Sequence, residues 1–315
     1  MENQYPALLI GVDGGGSKTV VLLADEDGRV LGRSTGGPSN YQVVGQQAAG
    51  AALSRTIRAA FAEANLEARA PAAICLGLSG VDRPADQAAI MAWVNREMPG
   101  TPAAIVNDAE LVLAAGTPEG WGVALICGTG SIAYGRTPGG QSARAGGWGY
   151  LLGDEGSGYA IGIAALRAVA RASDGRAAQT TLTRSILEHW SLTAPQELIG
   201  RIYQERVPTQ EIAALARLVD TAASDQDRVA QSILRDAGHE LALAVNAVAQ
   251  KLGMRGSVPC AHAGSVIVKG QFIARMFLDA GAALGLHLDP VTPVTEPAQG
   301  ALRLARALAR SRRQG

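Results

Sequence analysis

The chain has 315 residues, of which 47% are hydrophobic and 18% are charged, and its formal net charge is zero. This length suits two domains, and this composition allows a sizeable buried core and excludes a disordered chain. The balanced charge excludes the broad basic surface that attracts nucleic acid or an anionic membrane.

The first predicted element is a strand, turn and strand near the N-terminus. An apolar run ends at Asp13, and a second one covers residues 20–24. Between them lies a glycine-rich turn, made of Gly14, Gly15, Gly16, Ser17 and Lys18. Glycine amides can approach an anion closely, and a carboxylate at a strand end suits a hydrated Mg²⁺ ion beside phosphates. The turn opens no helix, which excludes a Walker A loop and a dinucleotide fingerprint; a plain β-hairpin without a ligand is the alternative.

The rest of the first half predicts the order β-β-β-α-β-α-β-α. After the hairpin, strands are predicted at residues 29–33, 72–78 and 103–107, and helices at 43–65, 84–96 and from 108 to about 115. Asp108 therefore ends a strand and begins a helix. Its position alone favours a helix N-cap over the functional alternative, which is a general base at the carboxyl end of a strand.

The second half begins with the same pattern of strand, glycine turn and strand. Apolar runs at residues 123–127 and 132–136 flank the turn Gly128, Thr129, Gly130 and Ser131, which indicates a duplicated unit. A strand follows this turn, so its G-x-G-x-x-A spacing is not a dinucleotide fingerprint. Residues 155–251 are predicted to be almost wholly helical, followed by a strand at 258–263, a helix at 270–284, a strand at 291–295 and a final helix from about Pro297.

A glycine-dense segment precedes the long helical stretch. Gly146, Gly147, Trp148 and Gly149 are followed closely by residues 153–158, which contain Asp154 and a second acid among three glycines. A loop leading into a helix N-terminus is the simple interpretation, since acids favour that position. So many glycines also suggest a chain folded around a small molecule. An indole face and carboxylates suit a sugar ring and its hydroxyls.

The three cysteines and His262 are predicted to have structural roles. Cys75, Cys127 and Cys260 form no CxxC pair, so we expect reduced, buried thiols and neither a zinc site nor a disulfide framework. His262 follows an apolar strand and is interpreted as a core histidine. The sequence contains no signal-peptide pattern and no apolar run of membrane-spanning length, so we expect a cytoplasmic protein.

Taken in order, these motifs resemble the sugar-kinase, heat-shock ATPase and actin superfamily. Within it, the spacing is similar to that of the N-acetylglucosamine kinases of the BadF/BadG/BcrA/BcrD ATPase group. The motifs that carry the resemblance span nearly the whole chain, namely VDGGGSKT at 12–19, SNY at 39–41, NDA at 107–109, GTGS at 128–131, GGWG at 146–149, GDEGS at 153–157 and GSV at 264–266.

The resemblance implies an α/β fold of two ribonuclease-H-like, actin-like ATPase domains around a central cleft. Residues 1–117 would form the first domain, with the closing helix at 297–315 packing back on it. Residues 118–296 would form the second domain, which would carry a large helical insertion.

The resemblance also implies a role for each motif residue. Asp13 would hold hydrated Mg²⁺, and Asp108 would bind the sugar and accept the proton of its 6-hydroxyl. The nucleotide would contact the glycine turns and a later helix end, through Gly14, Gly15, Gly16, Ser17, Lys18, Thr129, Gly130, Ala222, Gly264 and Ser265. The sugar would contact a further set, Asn40, Ser131, Gly147, Trp148 and Asp154.

The implied activity is ATP-dependent phosphorylation of an amino sugar, with N-acetylglucosamine going to its 6-phosphate, in amino-sugar metabolism and cell-wall recycling. N-acetylmuramic acid and glucosamine are alternative substrates. The implied assembly is a homodimer, with no nucleic-acid or membrane partner. An ATP-driven activator of a partner enzyme is an alternative of another class, and the lack of cysteines placed for an iron–sulfur cluster disfavours it.

Overall fold

The structure is a computed structural model that describes residues 7–81 and 83–314. It divides into two compact units. The first contains residues 1–120 together with 296–315, and the second contains residues 121–295. In the described residues, no helix combines the length and the apolar character needed to cross a bilayer.

The first unit contains five strands and five helices in its described part. The strands are β1 (Leu9–Gly14), β2 (Thr19–Ala24), β3 (Val30–Gly36), β4 (Ala73–Leu78) and β5 (Ala103–Val106). The helices are α1 (Tyr41–Val44), α2 (Gln46–Glu63), α3 (Pro84–Glu97), α4 (Asp108–Gly116) and, from the end of the chain, α13 (Ala298–Gln314).

The strands of the first unit form one mixed sheet in the order β3-β2-β1-β4-β5. The first three strands are antiparallel neighbours joined by tight turns, whereas β1, β4 and β5 are parallel. Parallel neighbours need a crossover connection, and the helices between β3 and β4 and between β4 and β5 provide it. As a result, β1, β4 and β5 end at the same edge of the sheet.

Helices cover both faces of this sheet because β1 is apolar on both sides. Ile10 and Val12 pack with α2 and α3 on one face, whereas Leu9 packs with α4 and α13 on the other. Alternate strand residues point to opposite faces, which accounts for the two separate cores. Gly11 allows α13 to approach closely, since a Cβ at this position would lie 2.7 Å from the backbone nitrogen of Leu302.

The second unit repeats this sheet and adds helices. Its strands are β6 (Gly122–Cys127), β7 (Ser131–Arg136), β8 (Ser142–Gly146), β9 (Ser257–Ala263) and β10 (His287–Pro293). Its helices are α5 (Gly158–Ser173), α6 (Leu182–His189), α7 (Glu197–Ile199), α8 (Thr209–Ala214), α9 (Ala216–Ser224), α10 (Arg228–Lys251), α11 (Ser265–Lys269) and α12 (Gln271–Ala283), with a π-helical turn at Gly200–Gln204.

The second sheet has the order β10-β9-β6-β7-β8, which is the order of the first sheet with each strand replaced by its counterpart. Again the first three strands are antiparallel, and β6, β9 and β10 are parallel. This shared topology supports the duplication that the two glycine turns indicate. The second unit differs mainly by α5–α10, which lie between β8 and β9.

Several element boundaries differ from the sequence-based predictions. The single helix predicted at 43–65 is two helices, because Gly45 has a φ of +81° between α1 and α2. Strand β8 and the short helix α11 were not predicted. Strand β10 begins four residues before the predicted start at 291. Its exposed first residues lack the apolar pattern that marks a buried strand.

Candidate functional site

The carboxyl ends of the parallel strands in the first unit bring polar side chains together. Asp13 lies near the end of β1, opposite Gly77 of β4. Ser79 follows β4, and Asp108 follows β5. The Ser79 backbone N–H donates to the Gly14 carbonyl at 2.9 Å, and its hydroxyl donates to the Asp108 carboxylate at 2.6 Å. Ligands of open α/β sheets bind at such strand ends.

The structure corrects the simple interpretation of Asp108 as a helix cap. The N-cap of α4 is Asn107, whose side chain accepts the Glu110 backbone N–H at 2.9 Å. Asp108 is the first residue of the helix instead, and its carboxylate accepts the Ser79 hydroxyl. Asp108 is therefore not the cap of α4, and its carboxylate lies at the sheet edge beside Ser79.

Asp13 has the electrostatics of a cation site. The pKa of its carboxyl is raised from 3.8 to about 6, mainly by burial and then by the nearby charge of Asp108, while Lys18 partly offsets the increase. Two carboxylates that raise each other's cost of ionisation are stabilised by a cation placed between or beside them. Carboxylate and hydroxyl oxygens fit Mg²⁺, which binds through one or two carboxylates plus water and phosphate. In the described part of the chain, no group of three or more His, Cys, Asp or Glu side chains could hold a metal ion by itself. A Mg²⁺ ion at Asp13 would therefore take most of its ligands from water and phosphate.

The turn after Asp13 is closed by its own backbone. The Gly15 N–H donates to the Lys18 carbonyl at 3.0 Å, and Gly16, Ser17 and Lys18 are exposed at the tip. Position 14 requires glycine, because a Cβ there would lie 2.2 Å from the Ser39 hydroxyl oxygen. The turn therefore presents polypeptide backbone and a lysine next to Asp13, which suits a phosphate chain.

Asn40 lies on the loop that packs against this turn. Its backbone N–H and that of Ser39 donate to the Gly15 carbonyl, at 3.2 and 3.1 Å. Its side chain caps α1 by accepting the Gln42 N–H at 3.0 Å, and the Gln42 amide donates to the Gly80 carbonyl at 2.9 Å. The first unit thus brings together Asp13, the glycine turn, Asn40 and Asp108.

Sequence reasoning missed Ser79, Gly80 and Gln42. Ser79 and Gly80 follow a fully buried strand as a hydroxyl and a glycine, and Gly80 has a φ of +84°. The available signal was an apolar strand followed by a hydroxyl residue and a glycine, because the two glycine turns also follow apolar strands and also combine glycines with hydroxyl residues.

The second unit has its own turn and acid. The Gly128 N–H donates to the Gly130 carbonyl at 3.0 Å, and Thr129 is exposed between them. Gly130 contacts Asp154 closely, since a Cβ there would lie 2.7 Å from a carboxylate oxygen. Burial raises the pKa of Asp154, whereas hydrogen bonds from the backbone of Ser131 and Gly149 lower it.

The glycine-dense segment presents an exposed indole. Gly147 has a φ of +70°, and its N–H donates to the Ser131 carbonyl at 3.0 Å. Trp148 is 66% exposed, and the Arg144 guanidinium lies 5.7 Å from its ring centroid. The Ser131 hydroxyl donates to the Glu155 carbonyl at 2.8 Å. Ser131, Gly147 and Asp154 therefore form one connected cluster beside this indole.

A separate cavity lies near the third glycine turn. Its volume is about 340 Å³, and Arg217, Thr221, Ser265 and Lys269 are among its lining residues. Gly264 has a φ of +99°, and a Cβ there would lie 2.2 Å from the Cys127 carbonyl oxygen, so the third turn packs directly on the second. The cavity has the size and mixed lining of a small-molecule site.

The structure does not bring Ala222 to this cavity. Ala222 lies on α9 and is 5% exposed within the core of the second unit, whereas the preceding Thr221 lines the cavity. Asp220, also on α9, accepts the backbone N–H groups of Phe272 and Ile273 at 3.1 and 3.2 Å and thereby fixes the start of α12.

The fold and its glycine turns indicate the class of protein, and the sequence match then shows the family. Two mixed sheets with one shared strand order, each with a glycine turn between antiparallel strands, form the two-domain α/β fold of the actin-like ATPases and sugar kinases. The sequence matches the BadF/BadG/BcrA/BcrD ATPase family over residues 10–305, and the chain belongs to that family.

Individual relatives are similar over most of the chain. A protein of Clostridium acetobutylicum named N-acetylmuramic acid/N-acetylglucosamine kinase is 39% identical over 260 residues, which cover 82% of this chain and 85% of the relative. A Dictyostelium discoideum protein named N-acetyl-D-glucosamine kinase is 35% identical over 311 residues, covering 95% and 97%. A solved structure from Chromobacterium violaceum, provisionally named an N-acetylglucosamine kinase, has a TM-score of 0.75 at 32% identity and covers 96% of this chain and 99% of its own.

Proposed function

We propose that this protein transfers the γ-phosphoryl group of ATP to the 6-hydroxyl of N-acetylglucosamine. The relatives named above support the substrate and the reaction. The observation that carries the chemistry is the Asp108 carboxylate, which lies at a strand end and accepts the Ser79 hydroxyl at 2.6 Å. Phosphoryl transfer needs positioning, charge neutralisation and an oriented nucleophile, and this chain offers side chains for each task.

Asp108 is the proposed general base. Its carboxylate would accept the proton of the sugar 6-hydroxyl as the oxygen attacks phosphorus. The Ser79 hydroxyl donates to one oxygen of this carboxylate and thereby helps to orient it toward the proposed position of the sugar hydroxyl. Ser79 is thus a positioning residue, because it acts through Asp108.

Asp13 is the proposed anchor for hydrated Mg²⁺. The bound ion would neutralise phosphate charge as the terminal phosphoryl group leaves. Asp13 suits this role because it is half-buried near Asp108 and carries a raised pKa, so a cation at this place removes an electrostatic cost. Gly14, Gly15, Gly16, Ser17 and Lys18 would line the phosphates beside it, as would Thr129 and Gly130 in the second unit.

The cavity lined by Ser265 is proposed to hold the adenosine. Ser265 lines it directly after Gly264 of the third turn, and Arg217 and Thr221 line it from helix α9. Ala222 supports the wall from the core and does not contact the ligand in this proposal.

The sugar is proposed to contact Asn40, Ser131, Gly147, Trp148 and Asp154. Trp148 would offer its exposed ring to the apolar face of the sugar, and Asp154 would accept hydrogen bonds from hydroxyl groups. The left-handed backbone at Gly147, which glycine adopts without strain, and the contact of Gly130 with Asp154 would hold these groups in place.

N-acetylmuramic acid is the second candidate substrate, because the Clostridium relative is named for both sugars. Glucosamine remains an alternative. A coupled assay of ADP release should be run with each of these sugars, with glucose, and without sugar. We expect ADP release that depends on sugar and is fastest with an N-acetylated amino sugar. ADP release that ignores all sugars but responds to a partner protein would contradict the proposal and favour an ATPase activator.

A further inference from the structure

An open surface groove of about 690 Å³ lies between α2 and α3 on the first unit, and no residue discussed above as binding sugar or nucleotide lines it. Helix α2 faces helix α3 across it, and the Ser54 hydroxyl donates to the Glu97 carboxylate at 3.1 Å to join the two. Its volume falls in the range of small-molecule sites. The buried ring of Trp93 forms part of its wall, next to Gly50.

The charges that line this groove are unbalanced. Arg55 and Arg58 line it from α2, and Arg96 lines it from α3. Within residues 7–81 and 83–314, neither Arg55 nor Arg58 has a hydrogen-bond or ion-pair partner. Glu97 is the one acidic residue in the lining, and its carboxylate already contacts Arg96 at 3.3 Å.

The two unpaired arginines lie on the same side of α2 because residues three apart are neighbours on a helix. Both side chains are exposed, so their mutual repulsion is small, and an anion held by both would remove it. Guanidinium groups bind phosphate and carboxylate through two parallel hydrogen bonds each. The side chains of Gln46 and Gln47 add amide donors to the same lining.

We propose that the α2–α3 groove binds a small multivalent anion, of the oligophosphate class, through Arg55 and Arg58. The site is separate from the proposed active site and does not depend on the proposed function. Several phosphate groups on one ligand would match the surplus positive charge, and the groove is large enough for a metabolite-sized molecule.

Hydrogen-exchange mass spectrometry tests the proposal with inorganic pyrophosphate as the probe. The method reports on each segment separately, so binding at the glycine turns does not mask binding in the groove. We expect pyrophosphate to protect peptides from α2 and α3, with a weaker effect at high salt. Citrate in a parallel titration distinguishes a preference for phosphate from binding of any multivalent anion.

The decisive variant is Arg55→Gln/Arg58→Gln, with Arg171→Gln on the exposed side of α5 as its matched control. We expect the double variant to weaken pyrophosphate protection of α2 and α3 at least about tenfold, because it loses two charge-assisted contacts. Arg171→Gln should bind as the wild type does. Arg96→Gln provides a second, milder loss. Equal protection in the wild type and the double variant, or protection in neither, would overturn the proposal.

Discussion

Asp108 and its neighbour Asn107 have different roles although they are adjacent in the sequence. Asn and Asp are equally good helix caps, and the chain has one of each in succession, so sequence alone favoured the wrong residue. In the structure, the Asn107 side chain caps α4, whereas the Asp108 carboxylate accepts a hydrogen bond from the Ser79 hydroxyl. Ser79 itself could not be predicted as its partner, because the two residues are brought together only by the pairing of β4 with β5.

Asp108→Asn should reduce kcat by about 10²- to 10⁴-fold, the usual contribution of general-base catalysis. Binding of the nucleotide should change little, since the amide keeps the shape of the carboxyl group. Steady-state kinetics and calorimetry with a non-hydrolysable ATP analogue measure the two effects. Asp279→Asn, an exposed acid on α12, is the control. Turnover of Asp108→Asn close to that of the wild type would remove Asp108 from the mechanism.

Asp13 should make the protein less stable as the pH rises. Its pKa is raised from 3.8 to about 6 in the folded state. Between these values the unfolded chain loses the proton while the folded chain keeps it, so the free energy of unfolding falls as pH increases. Asp13→Asn should therefore raise the Tm at about pH 7 without nucleotide, yet weaken binding of the Mg²⁺ nucleotide. A lowered Tm in this variant at neutral pH would contradict the assigned electrostatics.

Trp148 is proposed to contact the sugar and not the nucleotide. Trp148→Ala should raise the KM for N-acetylglucosamine more than the KM for ATP, because a stacking surface is lost. Tyr203→Ala, which removes another exposed aromatic ring of the second unit, should leave both values unchanged. A larger effect on ATP than on sugar would move Trp148 out of the sugar site.

At the scale of elements, strands were predicted better than the connections between them. Apolar runs bounded by glycine turns marked β1, β2, β6 and β7 because these strands are almost wholly buried. The pattern failed where burial is partial, as in β8 and the start of β10. The nucleotide contact that the resemblance implied for Ala222 stays a prediction, and Ala222 is 5% exposed within the core of the second unit.

Helix α13 depends on a glycine in the strand beneath it. Gly11→Ala should destabilise the protein by about 1–3 kcal/mol, the usual cost of overpacking, because the added Cβ would overlap the backbone of α13. Gly37→Ala is the matched control, since a Cβ there meets no atom within 4 Å. Urea unfolding measures both. Equal stability of the two variants would show that α13 does not pack on β1 in this way.

At the scale of the whole molecule, the repeated strand order and the membership of the ATPase family agree with the fold that the ordered motifs implied. No single motif could have predicted this fold, because each glycine turn alone is equally compatible with a plain β-hairpin that binds no ligand. The homodimer, the requirement for Mg²⁺ and the cellular compartment stay predictions.

The product of the reaction tests the central claim most directly. Purified protein should be incubated with Mg²⁺, ATP and N-acetylglucosamine, and the mixture followed by ³¹P NMR. The account predicts a new phosphomonoester on the 6-oxygen of the sugar, formed together with ADP, and its loss in Asp108→Asn. ADP that appears only with free inorganic phosphate, or no consumption of ATP with any amino sugar, would contradict it.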